Sequence, residues 1–302
     1  MKTIKALASS AVTLALFAGN PLAAQEVQAE VEVSGGSPAM WKVADEDTTI
    51  YLFGTIHKLP EDIDWNTGTV HTALVTADEL VTEIDMTPES IGTIAKTMLA
   101  KGVLPKGTTV RSLMTDDQRT VYEGGLAKLD LKPESFDRYE PWLAALQIAQ
   151  TSTVKGGYGT GRGVEVVLES LVAADTKRSA LETVDEQLAI FDELPMDDQI
   201  AFLLEGAEDP MKSVMALDKL VSLWASGKPE ELGAAMNEAL MAHPIIAERM
   251  LWDRNVDWAD WIVTRLDEPG TVFMAVGAGH LAGDKSVQAN LAERGIASTR
   301  VQ

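Results

Sequence analysis

The chain has 302 residues, 46% hydrophobic and 24% charged, which is ordinary globular composition and enough length for one large core or two smaller ones. Its formal charge of -21 argues against binding nucleic acid through phosphates and against an anionic membrane surface, whereas an acidic field favours cations, metal ions among them. Cysteine is absent, which excludes disulfides, a lipid-modified cysteine and a cysteine nucleophile.

Lys2 and Lys5 open the chain, an apolar run follows from Ala6 to Ala18, and small residues stand at Ala23-Ala24. That is the layout of a secretory signal peptide over residues 1–24, and the apolar run is shorter than the ~20 residues of a membrane span. A periplasmic or secreted protein with no span after cleavage is expected. Residues 25–37 are polar, contain Gly and Ser, and read as a leader of the mature chain. Residues 38–302 read as a single domain, because no long linker, low-complexity tract or short repeat divides them.

Four apolar runs bounded by turn residues predict buried strands: Thr49–Phe53, Glu79–Ile84, the weaker Ser179–Thr183, and Thr271–Val276. Helical spacing predicts helices over Thr67–Ala77, Ser90–Ala100, Phe136–Ala149 and Val164–Ala174. A long helical stretch from Asp185 to Leu266 is broken at Pro195, Pro210, Pro229 and Pro244, and Asp284–Arg294 ends at Gly295. The expected fold is α/β, with N- and C-terminal strands joined in a central sheet and a mostly helical middle forming a cap.

The chain has four histidines, and two share one setting. Gly54-Thr55-Ile56-His57 and Gly277-Ala278-Gly279-His280 each follow an apolar strand. Ligand sites of open α/β sheets lie outside the C-terminal ends of their strands, and glycine there lets the backbone turn sharply. A third strand ends in Glu83-Ile84-Asp85. Two imidazoles with a carboxylate make a plausible divalent-metal site, provided the histidines are no more than ~8 Å apart. The rival reading is that each histidine bonds locally at its strand end. His71 and His243 read as surface or capping residues.

Other polar residues carry two readings. Glu182, at the end of a predicted strand, serves a site or caps the following helix. Glu165 serves a site or complements a helix N-terminus. Arg254 and Asn255 lie on a largely apolar helix face with Met250, Leu251, Trp258 and Ile262, where unpaired polar groups would be costly. The tryptophans read as core. The glycine-dense loop Gly156–Gly163 reads as a plain flexible loop rather than a flap over a site. No Gly-x-Ser-x-Gly elbow and no His-Glu-x-x-His pattern occurs, which leaves serine catalysis and ordinary zincin chemistry without support.

Taken in order, these segments resemble the TraB/GumN family, which is related to the Tiki metalloproteases and more widely to an erythromycin esterase-like/ChaN-like superfamily. Trp41-Lys42-Val43 and Tyr51 to His57 match the opening, and Glu83 a strand that ends in Glu. Gly163-Val164-Glu165, Leu181-Glu182-Thr183 with Gln187, and Arg254-Asn255 match the middle. Gly277 to His280, with Leu281 and Gly283, match the end. The resemblance runs from about Met40 to Gly295 and implies a metal-dependent hydrolase, with peptidase activity in the Tiki branch.

The expectation is an exported metal-dependent hydrolase acting on a peptide or other small substrate. His57, His280 and Glu83 would hold zinc, manganese or cobalt. Glu182, Glu165 or Glu83 would handle protons, and Arg254 and Asn255 would stabilise developing charge. The alternatives are a non-catalytic envelope protein that binds a peptide, metal or glycan, and a regulator of envelope, polysaccharide or conjugation processes.

Overall fold

The computed structural model describes residues 36–60, 63–158, 163–240 and 244–302. The expected signal peptide, most of the leader, His243 and positions 159–162 of the glycine-dense loop lie outside them. In chain order the first elements are β1 (Met40–Ala44), β2 (Thr48–Thr55), α1 (Gly68–Val75), β3 (Glu79–Thr82), α2 (Pro88–Lys101), α3 (Asp116–Lys128) and α4 (Pro141–Lys155). Next come α5 (Val164–Leu171), β4 (Lys177–Ala180), α6 (Val184–Asp192), α7 (Met196–Glu208), α8 (Pro210–Ala225) and α9 (Pro229–Leu240). The last are α10 (Pro244–Ala247), α11 (Asp253–Arg265), β5 (Gly270–Gly277), α12 (Val287–Glu293) and β6 (Thr299–Arg300). The chain is α/β. No helix among the described residues is long and apolar enough to cross a membrane.

Two compact units emerge. One comprises the described parts of Pro88–Gly161 and Val184–Asp218 and is built of helices. Within it α7 packs against α3 and α4. The α3 contact is close, because a Cβ on Gly125 would stand 2.0 Å from the carbonyl oxygen of Ala207. Tyr158 is buried there, and its hydroxyl donates to Asp218 at 2.6 Å.

The other unit comprises the described parts of Val31–Thr87, Arg162–Thr183 and Lys219–Gln302 and holds the sheet. Strand order is β4-β3-β5-β2-β1-β6. The run β4, β3, β5, β2 is parallel, and β1 and β6 add antiparallel at one side. Alternation sorts the side chains. Ile50, Leu52, Val272, Met274 and Val276 face Trp258, Ala259 and Ile262 of α11 and Val287 and Leu291 of α12 in one apolar cluster. Phe53 and Phe273 form an aromatic group with Trp65 and Trp224, with Phe53 centroids 5.5 Å from Phe273 and 5.6 Å from Trp65.

The expected prolines each stand at a helix start: Pro195 caps α7, and Pro210, Pro229 and Pro244 open α8, α9 and α10. Three segments depart from expectation. The helix expected from Phe136 begins at Pro141, which occupies its first turn. Helix α3 has no strong apolar stripe; it is started by a capping box between Thr115 and Gln118. Strand β4 ends at Ala180 and not at Thr183, and both its end residues are exposed, because it is an edge strand without the covering that makes its neighbours continuously apolar.

Candidate functional site

Register places the site. Thr55 of β2 lies opposite Gly277 of β5, Ala275 opposite Thr82 of β3, and Thr82 opposite Ala180 of β4. The four parallel strands therefore stop together. The residues just beyond them, Glu182, Glu83, His280 and His57, follow the strand order along one sheet edge. All belong to the sheet-bearing unit.

The two imidazoles converge. A Cβ on Gly277 would lie 3.1 Å from Glu83 Oε1, 3.6 Å from His280 Cδ2 and 3.8 Å from His57 Nε2. The rings thus flank one point, within the ~8 Å spacing that a shared ion requires. Neither Gly54 nor Gly277 has a positive φ, so the sharp turn expected of them is not their contribution. Their contribution is space. Gly277 leaves room among three polar groups, and a Cβ on Gly54 would come within 3.0 Å of the Ala278 backbone.

Each histidine is oriented through Nδ1. Asn255 Oδ1 sits 2.6 Å from His280 Nδ1, and Asn255 Nδ2 donates to the Lys285 carbonyl at 2.7 Å. The second bond fixes the amide, so the oxygen faces the ring, Nδ1 carries the proton and Nε2 the lone pair. Trp258 packs on His280 with ring centroids 4.2 Å apart. His57 Nδ1 lies 2.6 Å from Glu165 Oε1, a contact that is close but poorly aligned for a full hydrogen bond. Thr55 donates its hydroxyl to that same oxygen. His57 Nε2 and Glu165 Oε2 are buried and have no hydrogen-bond partner among the described residues.

Arg254 occupies the centre. Its Nε and Nη2 bond Glu182 at 2.6 and 3.0 Å, Nη2 also reaches Glu83 Oε2 at 2.7 Å, and Nη1 donates to the Met250 carbonyl at 2.7 Å. Nη1 also stands 3.2 Å from His280 Nε2, and the guanidinium lies over Trp258. Glu83 Oε1 accepts from the Gly277 amide at 2.7 Å, and Glu182 Oε1 from Trp258 Nε1 at 3.1 Å.

Burial alone would raise the Glu83 carboxyl, but Arg254, the two imidazoles and the Gly277 N–H bring it down to about 2. Burial, joined by Arg254, lowers His280 to about 3 and keeps it neutral. His57 moves the other way: burial opposes its charge, yet the Glu165 carboxylate prevails and raises the imidazole above its ordinary value. For Glu182 burial prevails over Arg254, and its carboxyl is raised. Lys58, beside His57, is buried, which lowers its ammonium.

These residues suit a divalent ion in donor type and tautomer. Both imidazoles have Nδ1 against an acceptor, the outer-shell arrangement of metal-ligating histidines, and both Nε2 atoms face the Glu83 side. Among the described residues no group of three His, Asp or Glu stands preassembled at ligand spacing. Arg254 bonds Glu83 and stands beside His280 Nε2, so it competes for both groups.

The sequence-selected residues His57, Glu83, Glu165, Glu182, Arg254, Asn255 and His280 thus meet in one network. His71 lies apart, exposed on α1 and bonded to Asn66. Gly163 enters from the glycine-dense loop, where a Cβ would stand 2.6 Å from the His57 carbonyl. Sequence reasoning gave no role to Thr55 or to the Trp258 indole. Thr55 was legible as the polar residue ending an apolar strand, and Trp258 by its i,i+4 spacing from Arg254.

No curated protein and no solved structure matches the chain. The model of the TraB/PrgY/gumN family matches residues 39–300, an interval that contains every residue of this network. The chain belongs to the TraB/PrgY/gumN family.

Proposed function

We propose that the chain is an exported metal-dependent hydrolase with a peptidase-like site, in which His57, His280 and Glu83 hold the divalent ion. The observation that carries this reading is the convergence of His57 Nε2, His280 and Glu83 Oε1 around Gly277. A bound divalent ion lowers the pKa of a coordinated water toward neutrality and polarises a carbonyl. Two imidazoles and one carboxylate suit zinc, manganese or cobalt.

The chain's own groups supply the rest. Asn255 and Glu165 hold the imidazoles with Nδ1 turned away from the centre. Both polar ends of Asn255 are engaged, so it positions His280 and does not stabilise an oxyanion. Arg254 keeps Glu83 ionised and places a fixed positive charge where a substrate oxygen gains negative charge. Glu182 is bound through both oxygens to Arg254 and anchors that charge. Glu165 Oε2 has no hydrogen-bond partner among the described residues and serves as proton acceptor. Glu83, Glu165, Asn255 and His280 are buried and His57, Glu182 and Arg254 nearly so, which strengthens these interactions.

The test is metal analysis of the purified protein together with hydrolysis of a peptide library. About one ion per chain and turnover are expected, both lost in His57→Ala and His280→Ala. Absence of metal, with activity and stability untouched in both variants, would overturn the reading. Metal uptake without turnover of any peptide would favour an envelope binding protein on the same site.

A further inference from the structure

Thr55 is the last residue of β2, two positions before His57, and is almost completely buried. Its hydroxyl donates to Glu165 Oε1, the oxygen that faces His57 Nδ1. Glu165 comes from the first turn of α5, and that helix is tied to the same strand end by the Val164 amide, which donates to the Ile56 carbonyl at 3.1 Å. Gly163 permits this approach, since its missing side chain would collide with the His57 carbonyl and press on Glu165 Oε2. Among the described residues Glu165 Oε2 has no hydrogen-bond partner, and the contacts that hold the carboxylate run through Oε1.

From this geometry we infer that Thr55 is a positioning residue: it fixes the Glu165 carboxylate, and through it the tautomer and direction of His57. Threonine suits the role, because its β-branch restricts χ1 and holds the hydroxyl where a serine would turn more freely. Without the hydroxyl, Oε1 keeps only its poorly aligned contact with His57, and the buried carboxylate is free to rotate away from the ring. Outer-shell partners of this kind change metal affinity by about 10- to 100-fold when removed. The inference deepens the proposed function and rests on it for its metal arm alone.

Two measurements on Thr55→Val and Thr55→Ser in the full chain test it. In metal-free protein, the ring nitrogens of the histidines are observed by long-range ¹H–¹⁵N correlation. At a pH above the folded pKa of His57, where the ring is neutral, its proton is expected on Nδ1 in the parent, as a mixture of tautomers in Thr55→Val, and restored in Thr55→Ser; the His280 pattern stays constant throughout. In the second measurement, zinc affinity by competition with a chelator is expected to fall about 10- to 100-fold in Thr55→Val and to recover in Thr55→Ser. Thermal melting checks folding, and should Thr55→Val fail to fold, Thr55→Ala, which also lacks the hydroxyl, takes its place in both measurements and is read the same way. Unchanged His57 nitrogen signals in a folded Thr55→Val would overturn the inference. A parent chain that binds neither zinc, manganese nor cobalt counts against the proposed metal site and leaves the tautomer measurement decisive for Thr55.

Discussion

Each unit contains an arginine that grips two carboxylates, and the surroundings of the two clusters differ. In the helical unit Arg111 holds Asp137 through Nε and Nη2 at 2.7 and 2.6 Å, and reaches Glu123 at 3.1 Å. In the sheet unit Arg254 holds Glu182 by the same two-pronged contact and reaches Glu83. The Arg111 side chain is 28% exposed, against 12% for Arg254. Water screens the first cluster, whose partners lie on a helix and a turn with no imidazole beside them. The second lies where four parallel strands end, flanked by both site histidines. A fork on two carboxylates therefore does not by itself mark a site; enclosure and the neighbouring lone pairs are what make the Arg254 cluster the candidate.

Removing each arginine should separate the two clusters most strongly. Arg254→Met leaves Glu83 and Glu182 buried without their cation, and a loss of roughly 3–5 kcal/mol is expected in chemical denaturation. Arg111→Met should cost about 0–1 kcal/mol, since the guanidinium and Glu123 are open to water at 28% and 34% exposure. Neutralising both acids in an Arg254→Met, Glu83→Gln, Glu182→Gln chain should return part of the loss. Equal costs for the two arginine variants would remove the distinction drawn from burial.

The two histidines offer a smaller contrast inside the sheet unit, read in chelator-treated protein. His57 faces Glu165, Glu83 and Arg254, and its pKa is raised above 6.5; its contribution is fully present below that value and is lost as pH rises through the folded pKa. His280 faces Arg254, Glu83 and His57, and its pKa is lowered to about 3. The unfolded chain takes up that proton first, so this residue costs stability as pH falls below 6.5. Denaturation at about pH 8 and about pH 5 should therefore show the deficit of His57→Gln growing on acidification and that of His280→Gln shrinking. Parallel changes would mean that the carboxylate and amide partners do not distinguish the two rings.

Much of this site was legible in the sequence, for a physical reason. Parallel strands covered on both faces are continuously apolar, so β2, β3 and β5 announced themselves, and the polar residues just beyond them had to gather at one edge. The i,i+4 relation of Arg254 to Trp258 likewise placed the arginine on an inward face. What was hidden follows from the same physics. Strands β1 and β6 are short or exposed, β4 has an open edge, and α3 is set by its cap rather than by an apolar stripe. Sequence spacing also cannot tell which of three glutamates meets which histidine, because Glu165 reaches His57 from across the fold. Nor could it show Arg254 lying between Glu83 and His280, which depends on a side-chain direction.

The smallest expected effect comes from two adjacent glycines of α3, and it sharpens the contrast between the units. Gly125 faces α7, and a Cβ there would meet the Ala207 backbone, which cannot yield as a flexible side-chain tip would. Gly125→Ala should cost roughly 1–3 kcal/mol by overpacking. Gly124 is exposed one position away, with nothing within 4 Å of an added Cβ. Gly124→Ala should stabilise the chain by about 0.5–1 kcal/mol, because alanine loses less backbone freedom in a helix interior. The opposite signs follow from helix geometry alone, since neighbouring residues point about 100° apart around the axis. A glycine in the helical unit is thus a matter of packing and chain entropy, whereas Gly163 and Gly277 in the sheet unit keep space beside the atoms of a site. Equal losses for both α3 variants would show that α3 and α7 do not meet at Gly125 as described.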